Sequence, residues 1–249
     1  MTDMTLRRFY APSENIKNET VTLDFEQTRH LRDVLRLRQA EKVQVFDGEG
    51  NEFFCEIETI EKKETLLTVI KKISPTAPES GLDLTLAVAL LKGEKFDLVV
   101  QKAVELGAVK LLPINTKRAD AKFADAEKKL ERWRKIVVDA TKQCGRAKLM
   151  QIEKPAEFNE FIKHSAPRRL GGENLVLFAE RGGKSFSTIK QNQKMTAVIG
   201  SEGGWEDAEI EAARENDFQI VTLSGRVLRA ETAAISIAAI LQHRFGDLK

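Results

Sequence analysis

Between Thr196 and Phe245 the sequence runs strand, glycine turn, helix, strand, turn, helix, an order that few architectures accommodate. Thr196–Ile199 reads as an apolar strand, three of its four residues being Ala, Val and Ile, and ends at Gly200-Ser201-Glu202-Gly203-Gly204. With so few side chains in the turn, backbone N–H groups can approach a ligand closely. The helix that follows carries Asp207 and Glu209 in its first turn, where negative charge complements the helix dipole. A second strand, Gln219–Leu223, leads through the turn Ser224–Arg229 into a long apolar helix from about Ala230 to Phe245. Two such turns at the ends of two strands of one sheet can wall a single crevice, the usual ligand position in an open αβ sheet.

The residues before this stretch repeat the same grammar. Leu82–Leu91 reads as a buried strand, and after it Phe96, Val99, Val100, Ala103 and Leu106 recur at helical spacing up to a terminal glycine, Gly107. Val109–Ile114 is the next strand. A longer helix spans about Asp125 to Cys144, with Leu130, Trp133, Val137, Ala140 and Cys144 inward; Lys128, Lys129, Arg132 and Lys135 form a basic outer face, and Lys142, Arg146 and Lys148 follow. Met150–Ile152 is a short strand, Pro155–Lys163 a short helix, and Ser165–Glu173 a polar surface loop. Leu175–Ala179 is a strand ending at Glu180-Arg181-Gly182-Gly183, a third loop that can reach the crevice. Strand and helix alternating in this way predict a parallel sheet with helices on its faces.

The first seventy or so residues read differently. Lys42–Phe46, Glu52–Ile60 and Thr65–Ile73, with the turn Asp47–Asn51, predict strands of a small barrel or folded sheet. The run SPTAPESG at 74–81 holds two prolines and little that packs, so the chain divides into a β-rich domain at 1–73, a linker at 74–81 and an αβ domain at 82–249. Residues 1–73 carry twelve Lys and Arg against fourteen Asp and Glu, so their cations matter only if folding gathers them. One such gathering is a short helix from Phe25, with Leu31, Val34 and Leu35 on one face and Arg29, Arg32 and Arg36 on another. That row is either a solvated face or a stripe that follows phosphates, and Arg7 and Arg8 in LRRFYAP pose the same choice.

Bulk properties exclude several classes. A net charge of +2 with 31% charged residues gives no overall polyanion-binding field. Cys55 and Cys144, far apart, supply neither a disulfide framework nor a metal site, and His30, His164 and His243 lack ligand spacing, so no metal is expected. There is no signal-peptide h-region and no run of membrane-spanning length, which predicts a cytoplasmic protein. The glycines match neither a dinucleotide fingerprint nor a phosphate loop. Two classes stay open on the residues alone: a nucleotide-binding αβ enzyme of another type, and a noncatalytic RNA-binding protein whose glycine loops are only tight turns.

The pair IGSEGG and LSGRVLRAETA resembles the carboxy-terminal signature of the bacterial 16S ribosomal RNA uridine-N3 methyltransferases, a branch of the trefoil-knotted methyltransferases. Members usually carry proline at the position of Ser201. The segments KGEKFDLVVQKAVELGA and RWRKIVVDATKQCGRAK, and less specifically RRFY and HLRDVLRL…VQVFDGEG, resemble the same family, although a proline common in the second segment is absent. The resemblance implies an α/β fold: a parallel-sheet αβ domain with a deep trefoil knot, preceded by a small PUA-like β-barrel that binds RNA. It also implies S-adenosylmethionine as cofactor, a homodimer, and one uridine of 16S rRNA as substrate, within the small ribosomal subunit. A methyltransferase acting on another RNA nucleotide is the neighbouring alternative. The cofactor residues expected on this reading are Ala179, Glu180, Gly200, Glu202, Gly203, Leu223, Arg226, Leu228 and Ala233. Arg7, Arg8, Arg29, Arg32 and Arg36 are the expected RNA contacts. For the chemical step Arg229 is the first choice to stabilise the uracil anion, with Arg8 in reserve, and Glu202 is the candidate base.

Overall fold

The computed structural model describes residues 7–120, 126–165, 171–223 and 225–249. Ser224, most of the loop expected at 165–173 and the expected helix start at Asp125 lie outside the described residues. Contacts divide the chain into two units, one of Met1–Glu79 with Val138–Leu149, the other of Ser80–Val137 with Met150–Lys249. The sequence gives no sign that Val138–Leu149 groups with the first unit.

In that unit β1 (Arg8–Tyr10), β2 (Ile16–Lys17), β3 (Thr20–Leu23), β4 (Lys42–Phe46), β5 (Glu52–Ile60) and β6 (Thr65–Ile73) form one sheet, ordered β1-β4-β5-β6-β3-β2. Alternate residues point inward, so Val43 and Val45 from β4, Cys55 and Ile57 from β5 and Leu67 from β6 meet Phe9, Val21, Leu23 and Leu31 in one core. Register shifts at Phe54/Cys55 and Ile57/Thr59 mark the bulges that curl the β5–β6 ladder. The turn at Asp47 is fixed by its carboxylate, which accepts from Glu49 N (2.8 Å) and Asn51 N (3.0 Å).

Three expectations fail here for physical reasons. The helix from Phe25 is α-helical only as far as Arg29 (α1), with Asp24 as N-cap, and continues as a π-helix over His30–Val34. The wider turn breaks the predicted faces: Leu31 stays buried, Val34 is 64% exposed, and Arg36 sits beyond the helix with a left-handed φ of 55°. Arg8 is not a surface cation. Its Nε donates to Glu52 Oε1 at 2.8 Å, and its other nitrogens donate to the carbonyls of Thr141, Lys142 and Arg146 at 2.9–3.0 Å. Nor do Lys142 and Arg146 extend the basic face. Lys142 donates to Gln27 Oε1 and lies over the Phe9 ring, and Arg146, 4% exposed, pairs with Glu79. Within residues 74–81, Thr76 N donates to Glu52 Oε2 and Ala77 N to the Gly145 carbonyl.

The second unit contains β7 (Asp83–Ala89), α2 (Lys95–Glu105), β8 (Lys110–Asn115), and the first part of α3 (Ala126–Cys144). Next come β9 (Gln151–Ile152), β10 (Ala156–Glu157), α4 (Phe158–Lys163), β11 (Asn174–Phe178) and β12 (Lys184–Ser185). It closes with β13 (Lys194–Ile199), α5 (Asp207–Glu215), β14 (Gln219–Thr222) and α6 (Ala230–Phe245). The sheet is parallel as predicted, ordered β10-β8-β7-β13-β11-β14-β12 with β9 beside β8. The short helix begins at Phe158, not Pro155, because Ala156 and Glu157 pair with β8. One core on the sheet joins Ala87, Ile114, Phe158, Phe161, Leu177, Val198, Trp205, Ile210, Phe218 and Ile220.

Candidate functional site

Sheet register brings three loops to one place. Phe178 at the end of β11 pairs with Ile199 of β13 on one side and Val221 of β14 on the other, so the three strands finish level. Their continuations enclose a cavity of about 330 Å3, walled by Phe178–Glu180, Ile199–Trp205, Leu223 and Gly225–Leu228, with Ala230, Ala233 and Ile237 of α6 behind. All nine positions expected around a cofactor, from Ala179 to Ala233, lie in this lining. The third loop, after β11, joins them because β11 is inserted between the other two strands.

The glycines of the turn serve a purpose the sequence does not show. A Cβ on Gly200 would stand 2.9 Å from the Trp205 ring, and one on Gly203 would stand 2.8 Å from the Arg118 carbonyl oxygen. Their missing side chains therefore admit other parts of the protein, whatever else they admit. Trp205, 1% exposed, donates its Nε1–H to the Phe178 carbonyl (2.9 Å) and packs on Phe158, so it joins two of the strand ends beneath the cavity. Glu209 does the same for a fourth segment. It is 4% exposed, completes a capping box with Glu206, and accepts from Lys117 N at 3.0 Å.

Charges collect at the cavity wall in two groups. Glu180 pairs with Arg181, which also reaches Asp207 (2.7 Å) and the Trp205 carbonyl (2.8 Å). Glu202 accepts from Lys95 Nζ at 2.9 Å, and that ammonium lies 4.0 Å from Glu231 Oε2. The hydrogen bond to Glu202 raises the Lys95 pKa against the opposing effect of desolvation, so Lys95 holds its charge. Sequence reasoning missed Lys95 and Arg118; each comes from a segment remote in sequence from the turn it touches. Arg229 is exposed at the N-cap of α6 and lies outside the lining, between Leu228 and Ala230, which are within it. As a candidate base Glu202 would first have to leave its ion pair with Lys95.

The chain matches an RNA methyltransferase domain family over residues 78–242 and an RNA methyltransferase PUA domain over residues 23–70. The chain belongs to the RNA methyltransferase family. It is 34% identical to ribosomal RNA small subunit methyltransferase E of a Synechocystis strain, over 95% of this chain and 77% of that protein. It is 30% identical to the protein of the same name from Buchnera aphidicola, over 93% of each. A crystal structure of ribosomal RNA small subunit methyltransferase E from Neisseria gonorrhoeae bound to S-adenosyl methionine superposes with a TM-score of 0.88 at 30% identity, covering 98% of this chain and 100% of that one.

In this RNA methyltransferase the arginines expected to meet RNA separate into groups. Arg7, Arg29 and Arg36 are exposed. Arg32 is held by Asp33, bonded at 2.7 and 3.0 Å, and reaches the carbonyls of Glu61 and Lys62 at 3.3 Å. Arg8 is withdrawn from the surface, its side chain 9% exposed and each of its three nitrogens bonded within the protein.

Proposed function

We propose that this chain methylates N3 of a single uridine in the RNA of the small ribosomal subunit, with S-adenosylmethionine held in the cavity at the ends of β11, β13 and β14. The observation that carries this is the level finish of those strands, which sets three loops around one space of about 330 Å3. The lining suits that cofactor. Leu223, Leu228, Ile199 and Ile237 offer an apolar slot and the glycine turn offers backbone polar groups, the combination that holds flat heterocycles. Glu180 and Glu202 complement a sulfonium, while Arg226 is exposed to solvent. When bound, the cofactor supplies an activated methyl group, and the protein's work is to place donor and acceptor in line.

Methylation of N3 breaks the N3–H bond: Glu202, once free of Lys95, takes the proton as the candidate base, and the negative charge left on the uracil ring spreads to the flanking carbonyl oxygens. The role of stabilising that charge goes to Arg229 in this reading, and its exposure beside the lining supports the choice. Arg7, Arg29 and Arg36 supply phosphate contacts from the first unit, and Arg32 joins them when it leaves Asp33. The division into an RNA-binding domain at 1–73, a linker at 74–81 and a methyltransferase domain at 82–249, the trefoil knot, pairing into a homodimer and action in the cytoplasm belong to the same proposal. Among the described residues no helix is long and apolar enough to cross a membrane, and no cluster of side chains could hold a metal ion.

The deciding experiment uses small ribosomal subunits from a strain lacking this protein, incubated with the purified chain and labelled S-adenosylmethionine. Mass spectrometry of the digested RNA should find one 3-methyluridine. Label on another nucleoside would replace the substrate assignment, and no label on subunits or free RNA would overturn the enzymatic reading.

A further inference from the structure

Lys95 is the first residue of α2, where a positive charge opposes the helix dipole, so its place there serves something other than the helix. Its ammonium faces two carboxylates, Glu202 Oε1 at 2.9 Å and Glu231 Oε2 at 4.0 Å. The two carboxylates differ. Glu202 lines the cavity and its side chain is 30% exposed, whereas the Glu231 side chain is 13% exposed and outside the lining. The Oε2 atom of Glu231 is buried and makes no hydrogen bond among the described residues. A buried carboxylate oxygen without a donor is costly, and 4.0 Å is about 1 Å too long for a hydrogen bond. Lysine carries three donors on a flexible stem, so a small torsional change reaches the second oxygen.

We propose that Lys95 is a positioning residue with two seats, and that a cation entering the cavity moves it from Glu202 to Glu231. This rests on the reading of the cavity as the S-adenosylmethionine site. A sulfonium beside Glu202 repels the ammonium already there, and Glu231 offers that ammonium a place where an unsatisfied oxygen gains its donor. Glu202 is then released toward the cofactor. Glu231 thereby contributes to cofactor affinity without touching the cofactor, and the contribution depends on the charge at sulfur.

Calorimetry on the full chain tests this with S-adenosylmethionine and with S-adenosylhomocysteine, which shares every part except the charged methylsulfonium. Glu231→Gln should weaken S-adenosylmethionine binding by about fivefold, in the range of one coupled charge pair, and weaken S-adenosylhomocysteine binding less than twofold. In a Lys95→Met background the same Glu231→Gln change should leave S-adenosylmethionine affinity within about twofold, since no ammonium remains to be moved. Equal weakening in both backgrounds, equal weakening for both ligands, or no weakening at all would each overturn the exchange. A crystal structure of the wild-type chain with S-adenosylmethionine checks it without any variant: Lys95 Nζ should lie about 3 Å from Glu231 Oε2. Lys95 still bonded to Glu202 there would refute the exchange and leave the cofactor site standing. Failure of the wild-type chain to bind either ligand would instead remove the site itself.

Discussion

Arg229 precedes the first turn of α6, exposed, with no part in the cavity wall, which is where a residue that meets the acceptor and not the cofactor should stand. Arg229→Ala should lower single-turnover methylation roughly a hundredfold, the typical loss of one electrostatic donor, with S-adenosylmethionine affinity little changed. Turnover near the native rate at saturating RNA and cofactor would take the anion-stabilising role away from it. Cys55 gives a prediction of a different kind. Burial pushes its thiol from 9.0 up to about 12, so the folded chain keeps a proton that the unfolded chain releases above pH 9.0. Stability from this group is complete below pH 9.0 and declines as pH rises toward 12. Urea melts at pH 8 to 10.5 should show a shallower decline in Cys55→Ala than in wild type, and identical slopes would contradict the shift. The cavity lining was legible because strand ends and glycines leave a signature along the chain. Lys95 was not, since it meets Glu202 across 107 residues and nothing near either one announces the other.

At the level of elements, the glycine turn and its tryptophan act as one part. Gly200→Ala places a methyl group 2.9 Å from the Trp205 ring, which is fixed by its bond to the Phe178 carbonyl, so the ring cannot retreat without breaking that bond. The substitution should cost about 1–3 kcal/mol of stability in chemical denaturation, as overpacking does, and should weaken cofactor binding as the turn shifts. Unchanged stability would mean that the ring is free to move. Most elements could be read from the sequence, α6 to within a residue at each end, because apolar periodicity over a long segment is a strong signal. The exceptions have local causes. The two-residue strands β10 and β12 are defined only by their partners, and the π-turn at His30–Val34 alters a periodicity that assumes an α-helix.

Across the whole molecule, the surprise is how much of the basic sequence is used internally. Arg8→Ala would leave Glu52, whose side chain is fully buried, without its cation, and would strip donors from three carbonyls near the end of α3. A loss of about 3–5 kcal/mol is expected in urea unfolding of the first unit, and a loss below 1 kcal/mol would return Arg8 to the surface set. The exposed pair Arg29 and Arg36 should behave oppositely: replacing both with alanine should leave stability unchanged and reduce the salt dependence of RNA binding by roughly 0.7 per arginine on a log–log plot. An unaltered slope would make them solvated charges. The division of pattern near residue 74 was visible in composition, but the allegiance of Val138–Leu149 was not, because a continuous helix gives no sign of changing neighbours. The place of β11 between β13 and β14 also bears on how the chain is made. It emerges before either neighbour, and β13 must reach back to pair with β7, so this part of the sheet forms through long chain closures that slow folding. During synthesis the cavity cannot close before α6 has left the ribosome, since Ala230, Ala233 and Ile237 form its back wall, so a nascent chain meets its ligand only after all three strand ends have been made.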